Sequence, residues 1–265
     1  MKYIREGRFG QSKQWKTGAV VGTYPRPLLA VSLDEGGLDV VTTPAPRYIK
    51  TNELFKECQR PAVELSPITA IDLCDASSKT LGLDFSIKPD SSRMQALVDI
   101  STTLINLREK IPFRTVVVDP LTEVESAILA HIAAAQNAAL ADPRKWASMV
   151  GQKVKDLILA FTQLPCHVVF IMHSNVDKNE TTGTISETPR LYSKYRDVIG
   201  ANLSQFFYAT KVGGKPKVYT TDQGFVRGLG ARWPSDLPPV CDPTFQAIYG
   251  KELPDQSPLP PVAKA

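Results

Sequence analysis

Residues 10–17 read Gly-Gln-Ser-Lys-Gln-Trp-Lys-Thr. Gly10, Lys16 and Thr17 stand at the spacing G-x-x-x-x-G-K-[ST], the pattern of a loop whose backbone N–H groups wrap phosphates at the start of a helix. No other feature constrains the chain as tightly, because such a loop needs a strand before it and a helix after it. Trp15 occupies the place of the second glycine. Glycine there takes any φ and lets the backbone approach closely. Tryptophan therefore fits only with an ordinary backbone conformation and an indole turned away from the phosphates. Lys13 adds a second positive charge inside the loop. The full set predicted to hold nucleotide is Gly10, Ser12, Lys13, Gln14, Trp15, Lys16, Thr17 and Gly18.

A second acidic element follows downstream. Thr115-Val116-Val117-Val118-Asp119 is a β-branched run ending in a carboxylate. At the C-terminal end of a parallel strand, where ligands of open α/β sheets bind, Asp119 and the Thr17 hydroxyl are the pair predicted to hold Mg2+. Two further apolar runs, residues 28–33 and 168–172, end in Asp34-Glu35 and His173-Ser174. Continuous apolar runs of this length suit strands buried on both faces. Helical patterns at residues 93–109, 121–141 and 144–163 separate them. The alternation implies an α/β fold with a mainly parallel central sheet flanked by helices. Runs at 204–212 and 217–227, with a Gly213-Gly214 turn, predict antiparallel strands added late.

One segment disagrees with this plan. Tyr3–Phe9 should supply the strand before the loop, yet it carries Arg5, Glu6 and Arg8. That composition disfavours a buried central strand. Residues 42–110 show no clear pattern beyond a short strand near Ile68–Leu73 and read as a possible insertion. The division expected is a domain over 1–235 and a proline-rich extension over 236–265.

Composition bounds the remaining possibilities. The 265 residues, 43% hydrophobic and 22% charged, suffice for one large soluble domain. Net charge is +4, which permits a nucleic-acid partner without arguing for one. Cys58, Cys74, Cys166 and Cys241 form no C-x-x-C pair, so a zinc or redox motif is not expected. No apolar run reaches membrane-span length and the N-terminus lacks the apolar core of a signal peptide, so the expectation is a cytoplasmic protein.

Turnover of a nucleoside triphosphate needs a base to orient water. Glu35, past the 28–33 strand, is the first choice, with Glu123 and Glu125 as runners-up. His173 is placed to report the outer phosphate. His131 and His167 are expected to be structural or exposed.

Four elements thus stand in order: Gly10–Thr17, Leu33–Asp39, Val116–Val124 and Val169–His173. This order resembles the RecA-like P-loop ATPases, and the short first helix followed by Tyr24-Pro25-Arg26-Pro27 is similar to compact bacteriophage members that act in single-strand annealing and recombination. The resemblance implies ATP and Mg2+ as ligands, Glu35 as the catalytic glutamate and His173 in place of a sensor glutamine. It implies a homo-oligomer in which a basic residue of one subunit completes its neighbour's site; Lys211 and Lys215 head the choices, with Lys217, Arg227 and Arg232 behind them. It also implies that the loop after His173 faces single-stranded DNA, with Arg190, Lys194 and Arg196 on phosphates and Tyr192 stacking on a base. A phage-encoded chain would act in the host cytoplasm. The alternative is a non-catalytic nucleotide-binding assembly protein on the same fold. A small-molecule kinase has less support, since no arginine-rich lid is visible.

Overall fold

The computed structural model describes residues 3–34, 37–74, 91–135, 143–178, 180–181, 183–191, 199–232, 234 and 236–250. Among these, eleven strands form a sheet. They are β1 (Arg5–Gly10), β2 (Leu28–Ser32), β3 (Arg47–Tyr48), β4 (Ile68–Asp72), β5 (Thr115–Asp119), β6 (His167–Lys178), β7 (Ile185–Pro189), β8 (Gln205–Val212), β9 (Lys215–Tyr219), β10 (Gly230–Ala231) and β11 (Val240–Cys241). The α-helices among the described residues are α1 (Lys16–Thr23), α2 (Leu54–Cys58), α3 (Ser91–Asn106), α4 (Leu121–Ala135), α5 (Pro143–Thr162) and α6 (Phe245–Tyr249).

The main strand order is β11-β9-β8-β1-β6-β5-β2-β4-β3. From β8 through β3 every neighbouring pair is parallel. The late strands β9, β10 and β11 are antiparallel, as expected. The segment read as a possible insertion supplies β3 and β4, which extend this same sheet beyond β2. The second late strand is shorter than predicted and ends at Tyr219 rather than continuing to residue 227.

Period-2 alternation splits the sheet's side chains between two layers. Val116, Val118, Val168, Phe170 and Met172 face one way, against Leu97 and Ile100 of α3, Val124 and Ile128 of α4, and Val154 and Ile158 of α5. Val117, Val169, Ile171, Phe207 and Ala209 face the other way, against Val20 and Val21 of α1 and Phe245 and Ile248 of α6. Burial on both faces is why the strands read as unbroken apolar runs.

β1 is the exception, and it corrects the sequence expectation. It lies at the centre, between β6 and β8, with Glu6 and Arg8 fully buried. Each charge has a partner. Arg8 Nε donates to Glu6 Oε1 at 2.7 Å, Arg8 Nη2 to the Tyr24 hydroxyl at 2.9 Å and Arg8 Nη1 to the Pro243 carbonyl at 2.8 Å. Tyr24 and Tyr249 donate their hydroxyls to Glu6 Oε2, Tyr249 at 2.7 Å. Burial works against the charged guanidinium, yet Glu6, Tyr24 and Tyr249 together hold it above its ordinary range. Arg5 lies near the end of α5, where it donates to the carbonyls of Thr162, Leu164 and Cys166 at 2.7, 2.6 and 2.5 Å. Those are carbonyls of the kind a helix C-terminus leaves unpaired.

His167 is structural, as expected. Its Nδ1 accepts from the Ile4 N–H at 3.1 Å, a bond only the neutral ring can accept. Burial, then Arg5 and Arg114, lowers its pKa to about 4.

Two stability measurements follow. Glu6→Gln leaves Arg8 buried without a counter-charge and is expected to cost about 3 kcal/mol, read from the urea midpoint. An unchanged midpoint would show that the tyrosine hydroxyls alone suffice. His167 takes up a proton in the unfolded chain near pH 6.5 but in the folded one only near pH 4, so its contribution is present at neutral pH and lost as pH falls between those values. The expected loss from pH 7 to pH 5 is about 2 kcal/mol, and His167→Asn, which keeps an acceptor, should shrink the pH dependence by that amount.

Candidate functional site

β1 delivers the loop at residues 10–17 to the C-terminal edge of the sheet, and α1 starts at Lys16. Gly10 is required by closeness: a Cβ there would stand 2.1 Å from the Ala209 carbonyl oxygen of β8. Lys16 is buried, and its ammonium donates to the carbonyls of Gly10 and Gln11 at 2.9 and 2.6 Å. Burial lowers its pKa to about 8, against the opposing pull of Asp119, Asp34 and Glu187. Thr17 donates its hydroxyl to Asp119 Oδ2 at the end of β5. Burial pushes the Asp119 carboxyl up to about 6, although the Thr17 bond and Lys16 oppose the shift.

Trp15 overturns the expectation of an ordinary backbone. Its φ is 64° and ψ 25°, left-handed, and Lys13 also has a positive φ of 61°. The loop therefore keeps the conformation that glycine usually supplies, with a residue that strains to adopt it. The indole lies over Gly18, whose added Cβ would meet Trp15 Nε1 at 2.8 Å. Nearly half of Trp15 is exposed. Gln11, Ser12 and Lys13 are exposed, while Gln14 is half-buried with its Oε1 lacking any protein partner.

His173 arrives on β6, which lies between β1 and β5. Its N–H donates to Thr122 Oγ1 at 3.1 Å, which ties β6 to the start of α4. Its Nε2 lies 4.0 Å from Asp34 Oδ2 beyond β2. Its Nδ1 is buried without a hydrogen-bond partner. Burial and then Lys16 lower its pKa, against Asp34 and Glu123.

Lys16, Thr17, Asp119 and His173 therefore meet at one place, joined by Asp34 and Thr122, which sequence reasoning passed over. Asp34 adjoins Glu35 and offered a signal; Thr122 offered only its position three residues after Asp119. Glu123 is close enough to act on His173, and Glu125 lies farther along the same helix, α4. Glu35 lies outside the described residues, as do Tyr192, Lys194 and Arg196. Arg190 is exposed and follows β7, with its N–H donating to the His173 carbonyl at 2.8 Å. The stretch expected as a loop after His173 is instead a hairpin, since β6 runs on to Lys178 and pairs with β7. Lys211 and Lys215 stand exposed on the β8–β9 hairpin, across the Gly213-Gly214 turn.

The donor set fits a magnesium nucleotide. A buried ammonium at a helix N-terminus suits phosphate, and a hydroxyl beside a carboxylate suits a hard cation. The unpartnered Gln14 Oε1 and His173 Nδ1 leave polar capacity in hand. The profile of the AAA domain family matches residues 16–209. The chain belongs to the AAA domain family. It is thus a P-loop NTPase domain, with the matched region running from Lys16 to the end of the parallel core. No curated protein sequence matches it. Among solved structures, an ATPase from the type III secretion system of pathogenic bacteria is similar at a TM-score of 0.44 and 12% identity, over 78% of this chain and 51% of that one. The AAA domain chain spans about half the length of that protein. Among the described residues, no helix is long and apolar enough to cross a membrane, and no cluster of three or more His, Cys, Asp or Glu side chains could hold a metal ion.

The left-handed backbone at residue 15 makes a clean test. Trp15→Gly and Trp15→Ala both lose the indole, but only glycine adopts this φ freely, so the glycine variant should be about 1 kcal/mol more stable in urea denaturation. Alanine equal to or better than glycine would mean the loop does not hold a positive φ there.

Proposed function

We propose that this AAA domain binds ATP with Mg2+ and hydrolyses it in the service of DNA recombination or replication, as a homo-oligomer on single-stranded DNA. The observation that carries the reading is the convergence of Lys16, Thr17, Asp119, Asp34 and His173 at the edge of the parallel sheet. Lys16 would exchange its two carbonyl contacts for the outer phosphates, whose charge favours the protonated ammonium that burial disfavours. Thr17 and Asp119 would hold Mg2+, which supplies charge neutralisation on those phosphates. Glu35, next to Asp34, would orient water, with Asp34 holding the His173 ring toward the outer phosphate. Backbone N–H groups of the Gly10–Gly18 loop would complete the phosphate cradle.

The DNA part of the proposal draws on the hairpin that leaves the site beyond His173. Arg190 at its base is exposed, and Tyr192, Lys194 and Arg196 follow in the sequence. Cationic and aromatic residues interleaved in this way suit single strands without base preference. Lys211 and Lys215 project on a separate hairpin, as a cation reaching a neighbouring subunit's site would. The motif order's resemblance to compact phage-type recombination ATPases supports this reading and implies the cytoplasm, the host's in that case, as the place of action.

A second reading, nucleotide binding without turnover in an assembly role, is favoured by one observation: the half-exposed Trp15 indole in the phosphate loop.

ATP turnover measured with and without single-stranded DNA, beside Lys16→Ala, separates these. The expected result is slow hydrolysis stimulated by the strand and reduced at least ~100-fold by Lys16→Ala. Unaltered turnover in Lys16→Ala would overturn the site. Binding seen by calorimetry, with no turnover, would select the second reading.

A further inference from the structure

Glu187 has entered the site so far only through its pull on Lys16, yet it is 5% exposed and fully engaged. A buried carboxylate at this position calls for an explanation, because it costs free energy unless it is fully partnered. Both of its oxygens are engaged. Ser174, the residue after His173 on β6, donates its hydroxyl to Oε1. Tyr208 of β8 donates to Oε2 at 2.6 Å. The Glu187 N–H in turn donates to the Phe225 carbonyl at 2.7 Å.

These bonds join strands that do not neighbour one another. β6 and β8 lie on opposite sides of β1, so Glu187 bridges across the strand that carries the phosphate loop. At one end of the bridge stands His173. At the other, Tyr208 is fixed on both flanks: it pairs with Tyr219 of β9, stacks on it at 6.0 Å between ring centroids, and lies 5.4 Å from Phe9 of β1. Three residues beyond Tyr208, β8 emerges from the core as Lys211. The Glu187 carboxylate is also among the charges that act on the Lys16 ammonium, behind Asp119 and Asp34.

We propose that Glu187 is a positioning residue which, through Ser174 and Tyr208, makes the end of β6 and the β8–β9 hairpin respond as one unit, so that occupation of the outer-phosphate position beside His173 is passed to Lys211 and Lys215. This rests on the nucleotide reading above, and it adds an internal route from the phosphate to the surface that would meet a neighbouring subunit. Hydroxyl-to-carboxylate bonds are short, directional and strong when buried. A displacement at Ser174 is therefore carried to Tyr208 rather than absorbed by solvent.

Amide hydrogen exchange with and without a non-hydrolysable ATP analogue tests the route. In the unaltered protein the analogue is expected to slow exchange about threefold or more at residues 174–178 and also at 209–215. Tyr208→Phe removes one hydroxyl and keeps the ring. It should retain the protection at 174–178, lose it at 209–215, and bind the analogue within about twofold of normal, as read by calorimetry. Ser174→Ala should behave alike, and the double variant should lose nothing more. Protection at 209–215 that persists in Tyr208→Phe overturns the proposal. So does analogue binding, abolished by Lys16→Ala, that never alters exchange at 209–215; in that case the nucleotide site stands. No binding even in the unaltered protein brings down the nucleotide reading and this proposal with it.

Discussion

The buried ion pair of Glu6 and Arg8 decides whether the rest of the sheet can exist. β1 is the seam between the strands that carry Asp119 and His173 and the strands that carry the late hairpin. A strand in that place is normally apolar, and two uncompensated charges there would cost several kcal/mol each. Here the guanidinium and the carboxylate are saturated by each other, by two tyrosines and by a backbone carbonyl. The polar cluster also fixes register. Glu6 and Arg8 point to the α1 side, where Tyr24 and Tyr249 wait, so a slip by one residue would drive both charges into the α3–α5 layer.

The site inherits its geometry from this seam. With β1 set, its parallel neighbours place Gly10 level with His173, and β6 sits beside β5 so that Asp119 approaches Thr17. Lys16, Thr17, Asp119 and His173 meet from three separate segments, α1, β5 and β6. The lowered pKa of Lys16 and the raised pKa of Asp119 both express a water-poor setting. Both groups are poised to become more fully charged when counter-charges arrive.

Local patterns were legible in the sequence and distant partnerships were not. The spacing of Gly10, Lys16 and Thr17 and the run Thr115–Asp119 are contiguous motifs whose meaning does not depend on the remainder of the chain. The late antiparallel pair was legible from its Gly213-Gly214 turn. The composition of β1 misleads because, beyond the Glu6–Arg8 pair itself, the groups that satisfy Arg5, Glu6 and Arg8 come from residues 24, 162–166, 243 and 249. Trp15 was misjudged for a related reason: steric preference argues against a left-handed tryptophan, but the loop's tethering at Gly10 and at the α1 N-terminus outweighs it. The hairpin beyond His173 and the bonds of Glu187 to Ser174 and Tyr208 carry no local signal, since they arise from pairing of β6 with β7 and from the approach of β8.

The reach of the Glu6 cluster also orders events during synthesis. Glu6 and Tyr249 are 243 positions apart. A ribosome releases Arg8 long before Pro243 and Tyr249 exist, so burying the first strand at that stage would leave the charged pair without the Pro243 carbonyl and the Tyr249 hydroxyl, with only each other and Tyr24 as partners. Its full set of partners exists only once α6 has been made. The strand that bears the phosphate loop is therefore completed by the far end of the domain, and its polar cluster is fully satisfied only when nearly the whole domain is present.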